Sequence, residues 1–221
     1  MPRVLVSNRS GAVVIRAEEI GAISVEGGTA VSLPDGSVRI DPDRPSDEVR
    51  VRCAAGSDLV IGTGSGAVRV IGRFGDLHVT TKSGPVEIEE AAAIEVHSIS
   101  GRVAVSRCDG HCHIVTVNGR IEVGAVESLA AASTAGKITA ASVGWAKVRT
   151  VSGSVLLGSG APPSVSVRSV SGSIEVALPR GTAPHAALKS VSGSIRNECA
   201  SGTDGEVDAL TISGRIRVSW A

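Results

Sequence analysis

The sequence predicts an all-β fold, a single-stranded parallel β-helix (β-solenoid) with an irregular N-terminal β cap. Three observations carry this. A Ser-Gly phrase returns at near-regular intervals, the apolar residues are almost wholly Val, Ile, Leu and Ala, and no apolar run has a helical period. Aromatic residues are confined to Phe74, Trp145 and Trp220. A globular core of this size normally relies on large rings, whereas thin repeated layers do not need them. The 27 glycines fit a chain that bends often.

The phrase reads Ser-Gly-x-(Val/Ile)-x-apolar. Its glycines are 66, 84, 101, 119, 136, 153, 172, 193 and 214, spaced 18, 17, 18, 17, 17, 19, 21 and 21 residues apart. Each period holds a second strand before the phrase. Seven residues ahead of the glycine stand Leu77, Ile94, Cys112, Leu129, Ala146, Val165, Ala186 and Val207, and two residues after it come Val86, Val103, Ile121 and their equivalents. Both segments alternate, so these columns stack into an apolar spine in which each coil buries what its neighbour exposes. Parallel crossovers favour a right-handed coil. The uneven spacing breaks the six-residue phasing of a left-handed hexapeptide helix.

Apolar residues also fall five and two positions before the glycine, as at Val96 and Ile99 or Val148 and Val151, which requires a bend between the strands. Three positions before the glycine stand Thr81, Ser98, Thr116, Ser133, Thr150, Ser169, Ser190 and Thr211. Hydroxyls at a corner can satisfy backbone groups that the strand ladder leaves free.

Residues 1–56 break the pattern and form the cap with an irregular first coil, and residues 57–221 form the solenoid of about nine repeats. VSLPDGSVRI, residues 31–40, reads as a hairpin around Pro34-Asp35-Gly36. The phrase occurs once more near Ser10, out of register with the later spacing. At the other end Val218 and Trp220 are candidates for capping or assembly, because a solenoid end must be covered.

The recurrent (Thr/Ser)-apolar-Ser-Gly-x-(Ile/Val)-x-Val phrase, as in TVSGSV, SVSGSI and TISGRI, resembles a bacterial β-strand-repeat domain family of unknown function that commonly carries an adhesin label. VALPRGTAPHAALKSVSGSI, residues 176–195, shares the likeness. The resemblance covers about residues 57–219. It implies a single-stranded parallel β-helix and brings no catalytic residues with it.

The 22 basic and 22 acidic residues cancel, so no global field draws in nucleic acid or an anionic membrane. No signal-like or membrane-spanning stretch is present in the sequence, which points to the cytoplasm. Cys53, Cys108, Cys112 and Cys199 are too scattered for a disulfide scaffold. Cys108, His111, Cys112 and His113 resemble zinc ligands in type, but alternation turns Cys112 inward and both histidines outward, so four ligands do not converge. His78, Glu95 and His113 share an outward column and are the best weak metal candidates. Arg102, Arg120 and Lys137 follow successive glycines and form a candidate partner-binding stripe, with Glu87 and Glu122 two residues along as counter-charges. No clustered carboxylates, phosphate loop or calcium repeat appears. The expectation is therefore a non-enzymatic module without a cofactor, presenting a flat face to a protein or glycan. The alternative is a scaffold that forms homo-oligomers or filaments through its coil ends.

Overall fold

The computed structural model describes residues 3–19 and 23–221, with the backbone alone at 161 and 162. Its strands are β1 (Arg3–Asn8), β2 (Val13–Glu18), β3 (Ser24–Glu26), β4 (Gly28–Ser32), β5 (Val38–Pro42), β6 (Val49–Ala54), β7 (Asp58–Thr63), β8 (Val68–Thr81), β9 (Val86–Ser171), β10 (Ile174–Leu178), β11 (His185–Asn197) and β12 (Glu206–Trp220). Among the described residues there is no helix. The fold is all-β and solenoid-like, and β9 continues unbroken through several repeats of the Ser-Gly phrase. Two compact units meet in sequence at Gly110 and His111.

In the first unit the strands stack in parallel. β7 pairs with β8 in the register Leu59–Leu77, and β8 with β9 in the register Val68–Val86, with an irregularity between Val70 and Arg73. The order in space is not the order in sequence. β1 lies between β7 and β5, with Val4 opposite both Leu59 and Val38, and β2 lies between β8 and β6, with Ile15 opposite both Val70 and Val51. The first coil is thus inserted one layer in, and the β5–β6 coil is outermost. This explains the early phrase near Ser10. A side chain at Gly66 would run into the carbonyl oxygen of Gly11, so Gly11 belongs to the same glycine column despite its distance in sequence.

The outer coil is closed by antiparallel segments, β4 on β5 and β3 on β6. The expected hairpin is present: Asp35 Oδ1 accepts from Ser37 N at 3.0 Å and Ser37 Oγ at 2.6 Å, and Gly36 takes φ of 80° at the turn.

The second unit repeats the insertion at its own end. β9 pairs with β10 (Val155–Ile174) and, 42 residues on, with β12 (Val165–Val207). β12 in turn pairs with β10 (Ile174–Ile216) on one side and β11 (Ile195–Ile216) on the other. β11 is therefore the outermost coil. Reaching it from β10 means passing over one layer, an extra strand spacing of about 4.8 Å that about two extended residues span. The longer interval between the glycines at 172 and 193 supplies that length.

The spine is as expected within the stack. Leu77, Ile94, Cys112, Leu129, Ala146, Val165 and Val207 are buried, as are Val86, Val103, Ile121, Ile138, Val155, Ile174 and Ile216. Each fully buried Val or Ile contributes about 1.5–3 kcal/mol. On β11 the same columns open: Ile195 is 45% exposed.

The corner differs from the expectation. The residue two before the glycine points outward, with Ile99 52%, Val151 50% and Ile212 51% exposed, while the hydroxyl three before it is buried. The inward alternation thus runs through the hydroxyl, and the phase breaks at the glycine. A side chain at Gly136 or Gly153 would strike the carbonyl oxygen of the preceding column glycine, Gly119 or Gly136. The hydroxyls do bind backbone in several coils. Thr63 and Thr81 Oγ1 accept from Gly66 and Gly84 N at 3.2 and 3.3 Å, and Ser98 and Ser133 Oγ donate to Ser100 and Ala135 O at 3.2 Å. The buried oxygens of Thr116, Thr150, Ser169, Ser190 and Thr211 have no partner among the described residues.

Candidate functional site

Outward positions on the strand that leads into the Ser-Gly phrase lie eight, six and four residues before the glycine. Their side chains alternate with the buried spine and form a flat face on each coil.

On the first unit this face carries His78, Glu95 and His97. His78 Nδ1 lies 3.1 Å from Glu95 Oε2, and His97 Nε2 lies 3.0 Å from Glu95 Oε1. The imidazole centroids are 5.9 Å apart. Hydrogen bonds to His97 and then His78 hold the Glu95 carboxyl below its ordinary value. The sequence column had paired His78 and Glu95 with His113. The structure adds His97, two residues beyond Glu95 on the same strand, while His113 is an exposed residue of the second unit. No group of three or more His, Cys, Asp or Glu side chains among the described residues converges as a metal cage.

Elsewhere on the first unit, opposite charges sit side by side. Arg69 Nε is 2.9 Å from Glu87 Oε2, Arg107 Nε is 2.8 Å from Asp109 Oδ1, and Arg73 Nη2 is 3.0 Å from Asp109 Oδ2. Arg102 lines a shallow depression of about 310 Å³ with Arg69, Glu87 and Glu89.

The second unit differs. Ala146 and Val148 are fully buried, so Trp145, Lys147 and Arg149 project outward from one strand, and Trp145 is 41% exposed. The repeat register puts Ser128 and Ala130 on the coil before it and Ser166 and Arg168 on the coil after it. Trp145 therefore stands between two depressions. One, of about 490 Å³, is lined by Trp145, Ser128, Ala130, His111, Cys112 and His113. The other, of about 220 Å³, is lined by Trp145, Lys147, Val148, Arg149, Ser166 and Arg168. The first is broad and open, and the intervening coil presents only small side chains there. The second gathers three cations, none of which has an ion-pair partner among the described residues.

The candidate stripe residues Arg120 and Lys137 are exposed on this unit, one residue past consecutive column glycines, and Arg120 Nη1 is 3.7 Å from Glu122 Oε1. Val218 is fully buried and enclosed between Val176 and Asn197. Trp220 donates from Nε1 to the Thr182 carbonyl at 3.3 Å. Neither forms the last layer, because β12 is one coil in from the edge. All four cysteines are buried, and burial pushes the Cys53 thiol up to about 11, which keeps it protonated and a poor nucleophile at neutral pH.

Trp145 was missed in the sequence. It stands before the phrase that defines the repeat, and its signal was its rarity: one ring flanked by a coil of small residues and a run of cations.

Among the described residues no helix is long and apolar enough to cross a membrane. No curated protein matches the chain. Among solved structures, a chain titled as a "putative cell adhesion protein" from Clostridium sporogenes ATCC 15579 aligns over 100% of this chain and 92% of its own, at 10% identity and a TM-score of 0.23, which is too low to carry an argument. The family model described as Toastrack DUF4097 matches residues 22–220, and the chain belongs to that β-repeat family.

Proposed function

We propose that the chain is a non-enzymatic binding module that presents the outward face of its second unit to a protein or glycan partner. The observation that supports this reading is the contrast around Trp145: an exposed indole between two depressions, beside Lys147, Arg149 and Arg168, which have no ion-pair partner among the described residues. Tryptophan and arginine are the residue types enriched in binding hot spots. The test is saturable binding of the full chain to a printed array of neutral and acidic glycans and to a panel of purified extracellular proteins. Saturable binding to at least one, weakened by Trp145→Ala, supports the reading. No saturable binding to any of them refutes it.

The open β11 coil favours a second reading, self-association. Among the described residues β11 pairs with β12 alone, and Val191 and Ile195 are 78% and 45% exposed. A second copy adding its own β11 would complete the ladder. Light scattering across a concentration series checks this. A dimer that Val191→Lys returns to monomer supports it, and a monomer at every concentration removes it.

A further inference from the structure

We propose that the Trp145 face binds an anionic saccharide, with the ring stacked on the indole and its carboxylate or sulfate held by Arg149, Arg168 and Lys147. This rests on the binding-module reading above and names the class of ligand. On one side of the indole, Ser128 and Ala130 leave a slot of about 490 Å³ with a mostly apolar floor. A pyranose presents a flat C–H surface that such a slot and an aromatic face can cover. On the other side Lys147, Arg149 and Arg168 line a depression of about 220 Å³. Arginine forks match a pair of oxygens on a carboxylate or sulfate, and Ser166 adds a hydroxyl that can donate or accept.

The surroundings favour a short anionic sugar over nucleic acid. Glu206 and Asp208 lie opposite Ser164 and Ser166 on the next coil, so the cationic patch ends after two coils. Single-stranded nucleic acid also calls for a succession of aromatic platforms, and this face has one. His111 and His113 border the far wall of the slot, where a ring hydroxyl can hydrogen-bond to an imidazole.

The experiment uses the full chain with Trp220→Phe, so that indole fluorescence reports Trp145. It is titrated with oligogalacturonate, a heparin oligosaccharide, neutral cellohexaose and a single-stranded oligonucleotide of matched charge. The expected result is a saturable change in emission with an acidic oligosaccharide that weakens as salt rises. Trp145→Ala, followed by calorimetry, and Arg149→Gln with Arg168→Gln should each weaken binding at least tenfold while circular dichroism stays unchanged. Cellohexaose should bind at least tenfold more weakly. Tighter binding of the oligonucleotide overturns the proposal, and so does equal binding of the neutral sugar. The same holds if the acidic sugars do not bind while the array or protein panel finds another partner, an outcome that leaves the broader binding reading standing. Failure of every ligand in both experiments removes both.

Discussion

The two units use one chassis and dress it differently. Residues 1–110 hold 12 Lys and Arg against 15 Asp and Glu, and residues 111–221 hold 10 against 7. In the first unit, neighbouring coils set arginine beside carboxylate, as at Arg69–Glu87 and Arg73–Asp109. Such exposed pairs add little stability, on the order of 0–1 kcal/mol each, but they leave few charges for a partner. In the second unit Lys147, Arg149 and Arg168 face solvent with no ion-pair partner among the described residues, beside an exposed indole. The ends differ as well. The first unit closes its outer coil with antiparallel β3 and β4, and the second leaves β11 open. A repeat fold thus places its stability in inward columns and leaves the outward ones to differ in charge from unit to unit.

The largest expected effect should strike both units alike. Gly84→Ala and Gly136→Ala each push a methyl into the carbonyl oxygen of the glycine one coil back, Gly66 or Gly119. Each should cost at least about 3 kcal/mol in urea unfolding. If either is tolerated, the glycines of that unit do not stack as closely as described.

A smaller effect separates inner from outer coils. Ile216→Ala, in a layer covered on both sides, should cost about 2–5 kcal/mol, and Ile195→Ala on β11 about 1 kcal/mol or less. Stacking in simple sequence order would reverse that ranking.

The corner hydroxyls sharpen the contrast further. Thr81→Val orphans the buried Gly84 N–H and should cost about 1–2 kcal/mol. At Thr150 the buried oxygen has no partner, so Thr150→Val should be neutral or stabilising. Equal losses in thermal unfolding would contradict this.

The smallest effect is in acid. The Glu95 carboxyl is held below its ordinary value of 4.5, so its contribution to stability is complete above that value and is lost as pH falls through the lower folded value. Carbon-detected NMR should place its midpoint below 4.5, and His97→Ala should bring it back toward 4.5. Because the cluster is exposed, the change in overall stability is small.

Much of the fold was legible in the sequence because the glycine interval and the inward columns are direct consequences of coil geometry. The insertion of β12 was not, since equal intervals of 21 residues suit stepping out one layer or stepping over one and back. The outward turn of Ile99 and Val151 was misread because β-branched residues look like core, whereas the bend falls at the glycine and the hydroxyl takes the inward place. For the site, Arg120 and Lys137 stood out through the repeat phrase. Trp145 and His97 lay outside the positions that phrase samples, and only the packing of adjacent coils shows what surrounds them.

On the proposed function, recognition belongs to the face whose cations have no ion-pair partner among the described residues. Its most direct test compares acidic-oligosaccharide binding in two double variants by calorimetry at one salt concentration. Arg149→Gln with Arg168→Gln, on the second unit, should weaken binding at least tenfold. Arg69→Gln with Arg107→Gln, whose arginines are ion-paired on the first unit, should leave it within about twofold. Equal losses from the two variants would mean that the sugar senses only overall charge, and would contradict the account.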